Sequence, residues 1–171
     1  MKQNILFSIL IALSFTAKTQ DYNIAQLGVG ADSTKLNTLA IQKIIDKAEA
    51  EGGGTIVIPK GVFLTGALLF KPKTKLRLLE GAMLKGSDDI SNYPLIPSRM
   101  EGRSIYYYAA LINAYHVDSF SITGPGTING NGLRYWENFW AYRDSVKKIG
   151  RSATTWKYTA HDYFLSGVAI M

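Results

Sequence analysis

Between positions 55 and 84 the apolar residues of this chain come in runs of three to five, each bounded by glycine, proline or lysine. The runs are Thr55–Ile58, Val62–Leu64, Ala67–Phe70, Leu76–Leu79 and Ala82–Leu84. A second group follows after a gap, at Ala109–Ile112, Ser119–Ile122 and Gly126–Ile128. Strands this short and this closely spaced predict the coils of a β-solenoid. A sandwich would space its turn signals about 8–12 residues apart. Asn129-Gly130-Asn131-Gly132 then offers two consecutive positions for left-handed turns.

One helix precedes the strands. Ile41, Ile44, Ile45 and Ala48 fall at i, i+3, i+4 and i+7, one apolar stripe, while Lys43, Asp46, Lys47 and Glu49 lie elsewhere on the wheel. The spacing predicts a helix from an Asn37 cap to about Glu51, stopped by Gly52-Gly53-Gly54. Parallel coils stack roughly 4.8 Å apart, so the first coil of a solenoid leaves an apolar end open. An amphipathic helix over 37–51 is placed to cover that end and hide its strand edges from other chains.

Two further segments stand apart. Residues 87–106 carry Pro94, Pro97, Gly102 and several serines, and are expected to form a long loop bearing Tyr93, Arg99, Glu101 and Arg103. Residues 133–149 fit a second helix, on which Trp136, Trp140 and Arg143 share a face at i, i+4 and i+7. Such a stripe either packs against a sheet or presents a sugar platform, and packing is the commoner role.

The N-terminus reads as an export signal. Met1-Lys2-Gln3-Asn4 is short and positive, and Ile5–Phe15 is an apolar run broken by two serines, too short for the roughly 20 residues a membrane span needs. Ala17-Lys18-Thr19 supplies small residues for cleavage before Gln20. Residues 1–19 are therefore expected to be removed on the way to the periplasm or the medium, leaving no stable membrane anchor.

Composition narrows the chemistry. There is no cysteine among the 171 residues, which excludes disulfides, thiolate metal sites and a cysteine nucleophile. Only His116 and His161 remain as imidazoles, so a histidine-rich metal site is excluded; neither a metal nor another cofactor is expected. Without Lys2 and Lys18 the net charge falls from +6 to +4, with 17 basic residues against 13 acidic. The excess is local: Lys60, Lys71, Lys73, Lys75, Arg77 and Lys85 face only Glu80 within that stretch. Such a face can draw a polyanion or simply keep a sheet soluble. Lys71, Lys73 and Lys75 alternate as on a protected strand edge. No nucleic-acid-binding module is present, and no nucleic-acid partner is expected.

Four stretches resemble one family. Asn37–Asp46 with Gly52–Gly61 is similar to the capping helix and first coil of the polygalacturonases, glycoside hydrolase family 28. Leu79–Ser87 with Asp89 and Tyr93-Pro94 resembles the second coil and its exit loop. Pro97-Ser-Arg-Met-Glu-Gly102 resembles a loop of the bacterial exo-acting and rhamnogalacturonan-type branch. Ile122–Gly132 with Trp136 resembles the family's Gly-Thr-Ile-Asp-Gly-x-Gly…Trp segment, with Asn129 where Asp is usual. The resemblance covers about residues 22–142. It implies an all-β fold, a right-handed single-stranded parallel β-helix of the pectin-lyase-like type with N-terminal coils behind an amphipathic capping helix. The implied domains are N-terminal coils over 20–150 and an uninterpreted tail at 151–171. The implied activity is hydrolysis of α-galacturonosyl bonds, with inversion by paired aspartates, in an acidic plant polysaccharide of the cell wall, polygalacturonate or rhamnogalacturonan. The full-length enzyme is expected to be a monomer.

The family's catalytic signatures are absent from this chain. They are Asn-Thr-Asp, Asp-Asp, Gly-His-Gly and Arg-x-Lys, all after the Gly-Thr-Ile-Asp-Gly segment. Asp88-Asp89 lies upstream and reads as a turn; His116 and His161 lack flanking glycines. The strand-bearing stretches 54–86 and 108–132 hold 58 residues, fewer than three coils at roughly 22 residues each, where repeat folds need three or more units and two caps. The chain is thus expected to be an inactive N-terminal piece whose catalytic residues lie beyond Met171. The alternatives are another β-helix enzyme, such as a pectate lyase or epimerase, or a non-catalytic polysaccharide-binding β-helix. For substrate contact the candidates are Arg99 and Glu101, since an arginine fork matches a galacturonate carboxylate; an internal Arg–Glu pair pinning the loop is the equal alternative.

Overall fold

A computed structural model describes residues 20–100 and 102–148. Residues 1–19, where the export signal is expected, Glu101, and residues 149–171, with the tail, lie outside the described residues.

The short apolar runs form strands, and every strand of the solenoid pairs in parallel. β1 (Gln20–Asn23), β2 (Gly54–Ile58), β5 (Thr74–Leu78) and β10 (Ile122–Thr123) make one sheet in that order. β3 (Gly61–Thr65), β6 (Ala82–Gly86) and β11 (Thr127–Asn129) make a second. β4 (Leu68–Leu69) and β9 (Ile112–Asn113) make a third. Gly54 lies opposite Thr74 and Gly61 opposite Ala82, so the first coil takes 20 to 21 residues. This is a three-sided right-handed parallel β-helix, in which equivalent residues stack coil upon coil. Ile56, Leu76 and Ile122 form one row, and Phe63, Leu84 and Ile128 another. Ile56, Leu76, Phe63 and Leu84 of these rows, with Ile58, Leu68, Phe70 and Leu78, lie in the core, and Ile128 packs against it.

The helix α1 (Thr38–Ala50) closes the first coil. Its stripe Ile41, Ile44, Ile45 and Ala48 is buried in the same core. Its stop is a left-handed exit: Gly52, at φ +95°, donates to Glu49 O at 2.9 Å, and Gly53 donates to Ala48 O at 2.8 Å. The helix also satisfies the strand edges beneath it. Gln42 Nε2 donates to Leu69 O and Leu69 N donates to Gln42 Oε1, both at 2.9 Å. Gly66 N donates to Thr38 Oγ1 at 2.6 Å. Two amide bonds thus replace the neighbouring strand that β4 lacks. Gln42→Ala is expected to lower stability by about 1–2 kcal/mol, with water replacing part of the loss at this half-exposed edge. A urea-unfolding midpoint equal to wild type would remove this role.

Five expectations change. Asn37 occupies the cap position, but its side chain does not cap. It is buried, and its Nδ2 donates to Gly30 O at 3.3 Å and Lys35 O at 3.0 Å, fastening the incoming chain. Of the Asn129–Gly132 segment only Asn131, at φ +51°, is left-handed. β1 escapes sequence detection because Gln-Asp-Tyr-Asn has one apolar residue, Tyr22, which packs into the core. The lysines do not line an edge: Lys75 sits on β5, between β2 and β10, with Lys71 and Lys73 in the turn before it. Residues 87–106 are not a loop. They form a 3-10 turn at Ile90–Asn92 and an antiparallel ribbon, β7 (Leu95–Met100) and β8 (Arg103–Tyr108), inserted into the second coil. Pro97 suggested a loop because it cannot donate to a ladder, but a two-stranded ribbon consists only of edges, where proline is tolerated.

Candidate functional site

The ribbon carries the candidate residue Arg99, and its root is tightly fixed. Ser87 Oγ accepts from Asp89 N at 3.1 Å and from Asn92 Nδ2 at 2.8 Å. Tyr93 is buried, and its hydroxyl donates to Ser87 O at 2.9 Å. Burial pushes the Tyr93 hydroxyl up to about 12, with Asp88 adding to the rise. A Cβ on Gly86 would meet Gly130 O at 2.6 Å and the Tyr93 hydroxyl at 2.9 Å, so glycine is needed where this knot crosses the coil. Ala67 N donates to Asn92 O at 3.2 Å, and Ala109 N donates to Pro94 O at 2.8 Å, closing the ribbon's base.

Cross-strand partners share a face, so the pairings sort the ribbon's side chains. Leu95 opposes Tyr108, Pro97 opposes Tyr106, and Arg99 opposes Ser104. On this face Leu95, Pro97, Arg99, Ser104 and Tyr106 are all exposed, Tyr106 by 59%. On the opposite face Ile96, Ser98 and Tyr107 are half-buried, and Ile96 packs with Tyr93, Ala109 and Leu111. The structure therefore puts Arg99 in solvent on an outward face. Tyr106, its neighbour there, was missed because a run of three tyrosines at 106–108 gives no sign of which ring faces out.

The other candidates resolve as structural. Asp88 and Asp89 form the turn expected of them: Asp89 Oδ1 accepts from Ser91 N at 2.9 Å, and Asp88 lies 3.5 Å from Arg134. The bonds from Ser91, backbone first, hold the Asp89 carboxyl below its ordinary range. His116 is exposed, at φ +50°, edge-on to Tyr115 with ring centroids 4.0 Å apart. Arg77 of the basic stretch is ion-paired with Asp21 of β1, which ties the second coil to the first strand. Among the described residues no group of three or more acidic or imidazole side chains is arranged to hold a metal ion. Among them, too, no helix is long and apolar enough to cross a membrane.

The second helix, α2 (Leu133–Lys148), forms as expected, but its packing face is not the tryptophan stripe. Among the described side chains of α2, Tyr135 and Phe139 are the buried ones, 7% and 9% exposed, whereas Trp136 and Trp140 are 46% and 44% exposed. The indoles stack on each other, centroids 6.3 Å apart and planes at 27°, and the Arg143 guanidinium lies 3.8 Å over the Trp140 ring. The period of four was read correctly, but the inward face is offset by one residue.

A sequence relative supports the same assignment as the solenoid. Over 138 residues the chain is 40% identical to an exo-poly-alpha-D-galacturonosidase of Dickeya chrysanthemi, a match spanning 72% of this chain and 22% of that protein. The fold agrees with the family 28 exopolygalacturonase of Yersinia enterocolitica at TM-score 0.58 and 35% identity, over 67% of this chain and 21% of that one. The chain is similar to a part of the polygalacturonases of glycoside hydrolase family 28. A hyperthermoactive exopolygalacturonase of Thermotoga maritima matches it at TM-score 0.60 and 28% identity, over 65% of this chain and 25% of the solved chain. No protein-family model matches the chain. It spans about a fifth of the length of its curated relative, so it carries the family's fold without the family's full extent.

Proposed function

We propose that residues 20–150 are the N-terminal coils of an exported pectin-degrading glycoside hydrolase that cleaves α-galacturonosyl bonds. Residues 1–19 serve as its signal peptide, directing it to the periplasm or the medium. Its substrate is an acidic plant cell-wall polysaccharide, polygalacturonate or rhamnogalacturonan. The observation that carries this reading is the joint match: an α1-capped, three-sided parallel solenoid together with 40% identity to a galacturonosidase. The hydrolysing aspartates are placed outside these 171 residues, since none of the family's four catalytic signatures occurs after Gly132.

In this reading the chain contributes scaffold and substrate contact. α1 seals the solenoid so that coils can stack from one direction only, and the inserted ribbon holds Arg99 in solvent, where its guanidinium can pair with a uronate carboxylate. Mixing the purified chain with polygalacturonate tests it: the expected result is binding without cleavage, and cleavage would overturn the placement of the catalytic residues.

A further inference from the structure

The geometry points to the outward face of the β7–β8 ribbon as an acidic-sugar-binding strip in which Tyr106 stacks on a sugar ring and Arg99 takes a neighbouring carboxylate. This deepens the galacturonan reading above and rests on it.

The two side chains are placed to act together. Arg99 pairs with Ser104 and Tyr106 with Pro97, so Arg99 and Tyr106 are diagonal neighbours on one face. Such neighbours are roughly 7–8 Å apart, within the joint reach of an aromatic ring and a long side chain. Tyr106 keeps 59% of its surface in water, although the ribbon's other face offers a half-buried environment. Arg99 is exposed, and among the described residues no carboxylate lies within ion-pair distance of it. The other arginines with described side chains are engaged: Arg77 with Asp21, Arg134 with Asp88, Arg143 with Asp144 and Trp140.

The occupant follows from the chemistry. An apolar ring face beside a fork of fixed positive charge suits a polymer whose units each present C–H faces and a carboxylate. A neutral glycan would leave Arg99 without a partner, and a flexible acidic peptide would leave Tyr106 without a ring to cover. The ribbon is also preorganised, because the Ser87–Tyr93 knot and the Ala109–Pro94 bond hold its base.

The test uses the full chain tethered at low density to a sensor surface, with an oligogalacturonate, a neutral oligogalactan of equal length and polyglutamate as probes. The oligogalacturonate is expected to bind and the galactan not to. Arg99→Ala should weaken binding by roughly tenfold, the loss of a charge-assisted hydrogen bond. Tyr106→Ala should weaken it by about fivefold and Tyr106→Phe little, because the ring and not the hydroxyl makes the contact. Lys85→Ala, on the solenoid itself, should leave binding unchanged. Both positions are exposed and outside the core, and Arg99→Lys and Tyr106→Phe carry the test if either alanine variant misfolds. Wild-type affinity in the ribbon variants would overturn the strip while leaving the galacturonan reading intact. Equal binding of the neutral galactan would overturn both. No binding by the wild-type chain, or polyglutamate binding as tightly and without dependence on Tyr106, would overturn the strip.

Discussion

Polygalacturonate incubated with the purified chain is expected to gain no reducing ends above the buffer control. Inverting hydrolysis needs a protonated acid and an ionised base about 6.5–9.5 Å apart across the bond. Enzymes of this kind lower barriers enough for accelerations of 10⁶-fold or more, as an order-of-magnitude floor. Binding surface alone supplies none of that proton transfer. Among the described residues, the two acids that precede the ribbon are committed elsewhere: Asp88 to Arg134, and Asp89 to the Ser91 amide, which holds its carboxyl below the ordinary range. A carboxyl held below its ordinary range is a poor general acid at neutral pH. Steady turnover by pure material, proportional to protein concentration, would contradict the assignment of the chemistry to residues outside this chain.

Phe63→Ala should have the largest effect on stability, about 3–5 kcal/mol. Phe63 is fully buried, leads the row that Leu84 and Ile128 continue, and belongs to the cluster into which α1 inserts Ile41 and Ile45. Deleting it opens a cavity between two coils that have little freedom to collapse, because parallel ladders fix them on three sides. Against a typical total of about 5–15 kcal/mol the loss removes about a fifth of the stability or more. Urea unfolding followed by far-UV circular dichroism measures it, with the exposed helix variant Lys43→Ala as a near-neutral reference. A Phe63→Ala midpoint within error of that reference would mean that the core does not lie where the row of stacked side chains puts it.

The solenoid was legible where one physical signal dominated. Glycine-bounded apolar runs gave β2 to β6, because a strand with one face in a packed core has to be apolar there. The stripe of Ile41, Ile44, Ile45 and Ala48 gave the cap, because a single period of 3.6 has one solution. The ribbon was not legible, because Pro94, Pro97 and Gly102 are turn residues in most contexts and only the long-range pairing of 95–100 with 103–108 gives them a strand setting. The same holds for β1, whose strand character comes from the β2 edge it joins and not from its own side chains. On α2 the aromatic content misled: with Tyr135, Trp136, Phe139 and Trp140 all available, composition cannot say which pair faces inward. Arg99 was found by its chemistry, and Tyr106 needed the cross-strand register to be seen beside it.

Among the described residues the strands β10 and β11 each pair on one side only, and Ile122, which continues the Ile56–Leu76 row, is 43% exposed. A row of this kind is satisfied when a further coil stacks on it. The central claim is that these residues begin a pectin-backbone hydrolase whose catalytic coils stack on that surface. The direct test is to read the nucleotide sequence beyond codon 171 in all three frames. The account predicts Asn-Thr-Asp, Asp-Asp, Gly-His-Gly and Arg-x-Lys, in that order, in one of them. Their absence from every frame would contradict it and leave a short polysaccharide-binding β-helix in its place.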